Sequence, residues 1–269
     1  KERTLAVRQC ALRSYEAVLR FEPGESGPIT VTISAVDLAG QAGHGTMSVL
    51  RHRVTREGGT VQSSDGLAEA RFDPDGVYER FFAKVEEQDL PGPEGLPSIG
   101  PAYRFTPEDV PFNRPATVTI RYPPGFEYPE RLGIYEFDAD SSWTFLGNEQ
   151  DAVAGTVAAE VWHFSTYGLL LDEIPPVVTN LRPALDTETG DRRPRLEAEL
   201  RDQGSGIGRE EDISVALDGR ALVFEFDPEE ERLTAQPKRP LRPGVHRLEI
   251  TARDMCGNET RDVSVFTVR

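Results

Sequence analysis

Short runs in which apolar and polar residues alternate recur along this chain, with Gly, Pro and Asp between them. Ile29-Thr30-Val31-Thr32-Ile33-Ser34-Ala35-Val36, Thr117-Val118-Thr119-Ile120-Arg121-Tyr122 and His246-Arg247-Leu248-Glu249-Ile250-Thr251-Ala252 are examples. An extended chain sends successive side chains to opposite faces, so each run can bury one face and wet the other. With 21 prolines and 24 glycines among 269 residues, few long helices can persist. Ser14 to Arg20 is the best helix candidate, and it too can be read as a strand. The pattern predicts an all-β chain of tandem β-sandwiches.

One stretch occurs twice. Ile33-Ser34-Ala35-Val36-Asp37-Leu38-Ala39-Gly40-Gln41 aligns with Ile250-Thr251-Ala252-Arg253-Asp254-Met255-Cys256-Gly257-Asn258. Each copy ends a strand in Asp-x-x-Gly followed by Gln or Asn, and a further strand follows. Asp at the turn entry can accept bonds from amides two or more residues on, and Gly supplies the positive φ that closes a hairpin. The stretch resembles the last hairpin of a bacterial Ig-like domain. Strands near Arg195 to Leu200, Ile213 to Leu217, Ala221 to Phe226 and Leu233 to Gln236 precede the second copy. Turns are expected at Asp202 to Gly206 and at Asp218-Gly219. Pro175-Pro176 reads as a stiff linker. Residues 174–269 therefore resemble an Ig-like β-sandwich. Residues 1–52 are either the C-terminal part of another such domain or strands that complete the middle one.

The middle segment, 53–173, carries the candidate chemistry in His163-Phe164-Ser165. Imidazole titrates near neutrality and can take a proton from a hydroxyl. On an extended strand His163 and Ser165 would project side by side, flanking the Phe164-Ser165 peptide. The context is Glu57-Gly58-Gly59-Thr60-Val61, Arg71-Phe72-Asp73-Pro74-Asp75-Gly76-Val77, Tyr103-Arg104-Phe105-Thr106-Pro107, Phe112-Asn113-Arg114-Pro115-Ala116 and Trp143-Thr144-Phe145-Leu146. In that order and spacing the segment resembles the ZU5 family. The strand His163 to Leu170 is similar to that of the autoproteolytic domain of adhesion receptors.

The resemblance implies self-cleavage between Phe164 and Ser165 by an N-to-O acyl shift. Ser165 would be the nucleophile, His163 the general base, and Phe164 the anchor of the strained carbonyl. Residues 1–164 and 165–269 would then stay associated, the cleaved fragment being the protein's own partner. The alternative is a non-cleaving structural or adhesive spacer in a cell-surface protein. Either setting implies a bacterial extracellular, cell-surface or periplasmic location, with other domains of a longer chain or a surface partner as neighbours.

A net charge of −16 argues against nucleic acid, whose binding needs Lys and Arg on phosphates. No run approaches the length of a membrane helix, so no membrane insertion is expected. The opening Lys1-Glu2-Arg3, without methionine, suggests a mature or excised fragment. Cys10 and Cys256 lack zinc-type spacing and are expected as free thiols, with a long-range bridge as the alternative. Glu86-Glu87, Glu210-Glu211-Asp212 and Glu229-Glu230-Glu231 read as solvated faces. Asp202 with Asp254 can be read as a calcium pair, but turn stabilisation is the simpler account. No cofactor or metal is expected. Asp138 and Asp140 read as a hairpin turn rather than a carboxylate pair for catalysis. His44, His52 and His246 have no evident partner in sequence.

Overall fold

The computed structural model describes residues 7–11, 14–16, 29–36, 39–49 and 51–269. Alternation in the sequence becomes alternation in burial. Ala116–Arg121 runs buried, half-buried, buried, half-buried, buried, exposed, as a strand with one face on a core must. It is the middle strand of a sheet ordered Glu149–Asp151, Thr156–Val161, Ala116–Arg121, Ala68–Phe72, Gly59–Gln62.

A second sheet faces it, ordered Trp143–Gly147, Leu132–Phe137, Thr166–Leu171, Ala102–Thr106, Phe81–Gln88, His52–Val54. The strand pairs in both sheets are antiparallel. Between the sheets Val61, Phe72, Phe105, Val118, Ile120, Ile134, Phe164 and Leu169 form one apolar core.

Thr166–Leu171 does not alternate, and its position explains why. It lies between Leu132–Phe137 and Ala102–Thr106, and its central four residues are all buried. One face meets the core. The other is covered by a satellite cluster of Leu96, Tyr135, Leu170, Trp143, Phe145 and Ile174. Gly168 lets Trp143 close on this face, since an added Cβ would stand 3.0 Å from the indole ring. The Asp138–Ser142 segment is a hairpin turn, as expected: Asp138 N–H donates to the Ser142 carbonyl, and Asp140 accepts from Ser142 N–H. Trp143 beyond it is half-buried.

The C-terminal sandwich packs Val177–Arg182, Leu196–Arg201, Arg232–Ala235 and Phe224–Asp227 against a second sheet. That sheet is ordered Thr187–Thr189, Glu259–Val268, Gly244–Arg253, Ile213–Leu217, Arg220–Ala221. Leu196, Leu200, Val215, Leu233, Leu248, Ile250 and Phe266 make its separate core. The Asp218-Gly219 turn has both residues at positive φ, 53° and 74°, as a two-residue hairpin between right-twisted strands requires. Val177–Arg182 begins directly after Pro176, so the proline pair delivers the chain into a strand with no free linker beyond it.

In the repeat, Gly40 and Gly257 both take positive φ, 81° and 86°. Asp254 caps its turn, its Oδ1 accepting from Asn258 N–H at 2.8 Å. Asp37 and Leu38 lie outside the described residues. Ile29–Val36 pairs with Ala42–Val49, and Arg8–Ala11 with Ser14–Glu16. Among the described residues neither hairpin joins a sheet of the sandwiches. Ser14–Glu16 is therefore strand, and the rest of that helix candidate lies outside the described residues.

The three histidines without evident partners each have one. His44 bonds Ser34 Oγ, His52 bonds the Gln62 carbonyl, and His246 sits between the Asp218 carboxylate and the Arg242 carbonyl. Burial disfavours the charged His246 ring, but the two acceptors outweigh it and raise its pKa. Among the described residues no helix is long and apolar enough to cross a membrane.

Candidate functional site

His163-Phe164-Ser165 is not on a strand. Thr156–Val161 ends in the first sheet, the chain bends through Trp162 to Ser165, and Thr166–Leu171 begins in the second. The strand expected over His163 to Ser165 is therefore corrected: the backbone is crossing between layers there, with His163 exposed and Ser165 half-buried. Phe164 plugs that crossing. It is fully buried, with ring centroids 5.1 Å from Phe112, 5.5 Å from Phe105, 5.6 Å from Phe72 and 5.9 Å from Phe81. Three of the four contacts are edge-to-face, the arrangement ring quadrupoles favour.

The backbone around the plug is pinned. The Trp162 carbonyl accepts from Phe112 N–H at 3.3 Å, and the Ser165 carbonyl from Phe105 N–H at 2.9 Å. The His163 carbonyl accepts from the Tyr167 hydroxyl at 2.5 Å. His163 itself turns outward, its side chain 52% exposed, and its Nε2 lies 2.9 Å from Glu136 Oε1. Among the described residues no hydrogen bond joins His163 to Ser165, and none reaches the Phe164 carbonyl. The Phe164-Ser165 bond is trans, and neither residue has positive φ. The bend thus holds a base candidate oriented by a carboxylate, a hydroxyl and an anchored peptide. Base and hydroxyl are not engaged, and an oxyanion donor is not in place.

A second polar constellation lies where the two sandwiches meet. Asp172 follows the central strand of the middle sandwich and is fully buried. Its Oδ1 accepts from Ile174 N–H at 3.0 Å and its Oδ2 from Ser205 N–H at 2.7 Å. Its carbonyl accepts from Asn258 Nδ2 at 3.0 Å. Asn148 Nδ2 of the middle sandwich donates to the Met255 carbonyl at 2.6 Å, and Ser205 Oγ accepts from Cys256 N–H at 3.0 Å.

Asp172, Asp202 and Asp254 each place one carboxylate oxygen within 4.8 Å of the others. Asp202 Oδ2 accepts from Gly204 and Gly206 N–H, while its buried Oδ1 is unpartnered, as is the buried Tyr135 hydroxyl. Burial first, and neighbouring carboxylates after it, push Asp254 up to about 6 and raise Asp202. Burial pushes the free Cys256 thiol up to about 12. Cys10 stands on Arg8–Ala11. Sequence offers Asp202 and Asp254 as a pair. Asp172 joins them only through the way the sandwiches dock; its one sequence sign is an acid at a strand end before a proline pair.

No protein-family model matches the chain, and no curated protein matches it. Solved structures similar to it include CopC from Methylosinus trichosporium OB3b, at 15% identity and TM-score 0.29 over 35% of this chain and 92% of that one. Dimeric latent PorU from Porphyromonas gingivalis aligns at 14% identity and TM-score 0.28 over 70% of this chain and 24% of that one. The Sidekick-1 immunoglobulin domains 1–4 align at 12% identity and TM-score 0.23 over 93% and 73%. At these scores the likeness carries no functional information; the tandem β-sandwich architecture stands on the sheets themselves.

Proposed function

We propose that residues 51–269 are a stiff, non-catalytic spacer of a surface-exposed or secreted bacterial protein, with neighbouring domains or a surface partner as its contacts. The observation that carries this reading is the buried junction, where Asp172, Asn148, Ser205 and Asn258 join the two sandwiches by direct hydrogen bonds. Buried polar bonds of this kind hold one geometry, because any hinge motion leaves donors and acceptors unpaired at a cost of about 1–3 kcal/mol each. A flexible bead-on-string arrangement would leave the linker solvated instead. Nitrogen-15 relaxation of the full chain tests the reading. One rotational correlation time shared by both sandwiches is expected; two independent, shorter times would overturn it.

A second reading, self-cleavage, is favoured by the anchoring of Phe164 and the orientation of His163 by Glu136. Ser165 Oγ would attack the Phe164 carbonyl carbon. His163 would take the hydroxyl proton and deliver it to the departing Ser165 nitrogen, and water would open the resulting ester. The two pieces would remain together, because Thr166–Leu171 is bonded between two neighbouring strands. Intact mass under denaturing conditions decides it. Fragments meeting at Phe164/Ser165 that vanish in Ser165→Ala would establish cleavage, whereas a single full-length mass after prolonged incubation rejects it.

A further inference from the structure

We propose that Asp172, Asp202 and Asp254 form a calcium site that clamps the two sandwiches together. Three observations converge on it. The first is span. Each acid offers an oxygen within 4.8 Å of the others. Oxygens that close can share one cation: at calcium–oxygen distances near 2.4 Å two ligands of one ion are at most about 4.8 Å apart, and calcium tolerates an irregular oxygen set better than magnesium, which demands a near-ideal octahedron.

The second is charge. Asp172 and Asp254 are buried and Asp202 half-buried. Among the described residues no Lys, Arg or His forms an ion pair with any of them. Carboxylates gathered away from water repel one another until a cation binds or a proton is taken up, and a cation relieves all three at once.

The third does not depend on the acids being clustered. Tyr135 is fully buried on Leu132–Phe137, a strand of the other sandwich from Asp202 and Asp254, and its hydroxyl has no hydrogen-bond partner. Cys256, Asp172, Asp202 and Asp254 all act electrostatically on it, which places it in their neighbourhood. Buried hydroxyls are nearly always bonded, and this orphan and the orphan Asp202 Oδ1 are both buried at the junction, where each calls for a partner. A hydrated cation satisfies both, accepting Asp202 Oδ1 as a ligand and giving the tyrosine a bound water to bond.

The all-oxygen donor set fits a hard cation. The backbone fits it too. Amides of Ser205, Gly204, Gly206 and Asn258 fix the carboxylates, leaving lone pairs free to ligate. An ion here would be held by Asp172 from one sandwich and Asp202 and Asp254 from the other. Its binding would therefore stabilise the docked arrangement over the separated one.

The purpose of the clamp rests on the spacer reading; the binding does not. Calorimetric titration of the metal-stripped full chain with calcium chloride tests the binding. One ion per chain is expected, with an affinity no weaker than the roughly millimolar range of extracellular modules and magnesium binding more weakly. Asp202→Asn, which keeps an acceptor for Gly204 and Gly206, should weaken binding roughly tenfold or more. Glu229→Gln, in an exposed acidic run, should leave it unchanged.

No heat and no rise in melting temperature at about 10 mM calcium would overturn the site. So would binding that Asp202→Asn leaves intact, or that Glu229→Gln weakens equally, since that is attraction to an acidic surface alone. The two ideas fail separately. Calcium binding by a chain whose metal-free form shows two correlation times removes the stiff spacer and keeps the site; one correlation time without calcium binding does the reverse.

Discussion

Phe164→Ala should lower the stability of the middle sandwich by about 3–5 kcal/mol, the range for deleting a fully buried aromatic ring. The reasons are local and additive in direction. The ring is wholly enclosed, and Phe72, Phe81, Phe105 and Phe112 all meet it. Its removal forfeits burial and edge-to-face contacts and leaves a void that four rigid rings cannot collapse into. The void also falls where the chain changes sheets, so the bonds from Phe105 and Phe112 that pin the bend lose their support.

The measurement is selective, because Trp143 and Trp162 are the chain's two tryptophans and both belong to the middle sandwich. Urea unfolding followed by tryptophan fluorescence therefore reports that sandwich. The midpoint should fall sharply with the slope preserved. A loss below about 1 kcal/mol would mean the bend repacks, and Phe164 is not the plug the geometry describes.

Gly204→Ala should loosen the junction and destabilise the C-terminal sandwich by about 1–3 kcal/mol, the usual cost of forcing a methyl into packed space. An added Cβ would stand 2.3 Å from Asp172 Oδ2 and 2.4 Å from its Cγ and Oδ1. Asp172 cannot swing clear without giving up its bonds from Ile174 and Ser205. The loop must therefore back away, and a buried amide or carboxylate oxygen loses its partner. The glycine is needed here for closeness of approach alone, since its φ is not in the left-handed region. Nitrogen-15 relaxation should show the two sandwiches of this variant tumbling with different correlation times. Unchanged relaxation and melting would place the mechanical coupling elsewhere.

Much of the local structure was legible because it is local. Alternation over Ala116–Arg121 sets which residues face a core, whatever that core turns out to be. Asp254 and Gly257 close their hairpin with groups a few residues apart, and Asp218-Gly219 takes the one turn that two positive-φ residues make well. The largely apolar stretch Tyr167 to Leu171 suits a strand buried on both sides, as its central position makes it.

What sequence could not decide was which sheet each strand enters. His163-Phe164-Ser165 resembles a strand segment, yet the strands before and after it lie in different layers, so the tripeptide falls in the crossing between them rather than on a strand. The ZU5 resemblance, carried by residue order and spacing, has no matching family model behind it. The junction was hidden for the same reason. Asp172, Asp202 and Asp254 are tens of positions apart, and an acid carries no mark of the partner it will meet. Backbone periodicity and turn chemistry are properties of neighbours in sequence and are written there; the meeting of three carboxylates depends on how two finished sandwiches dock, and only the tertiary structure decides it.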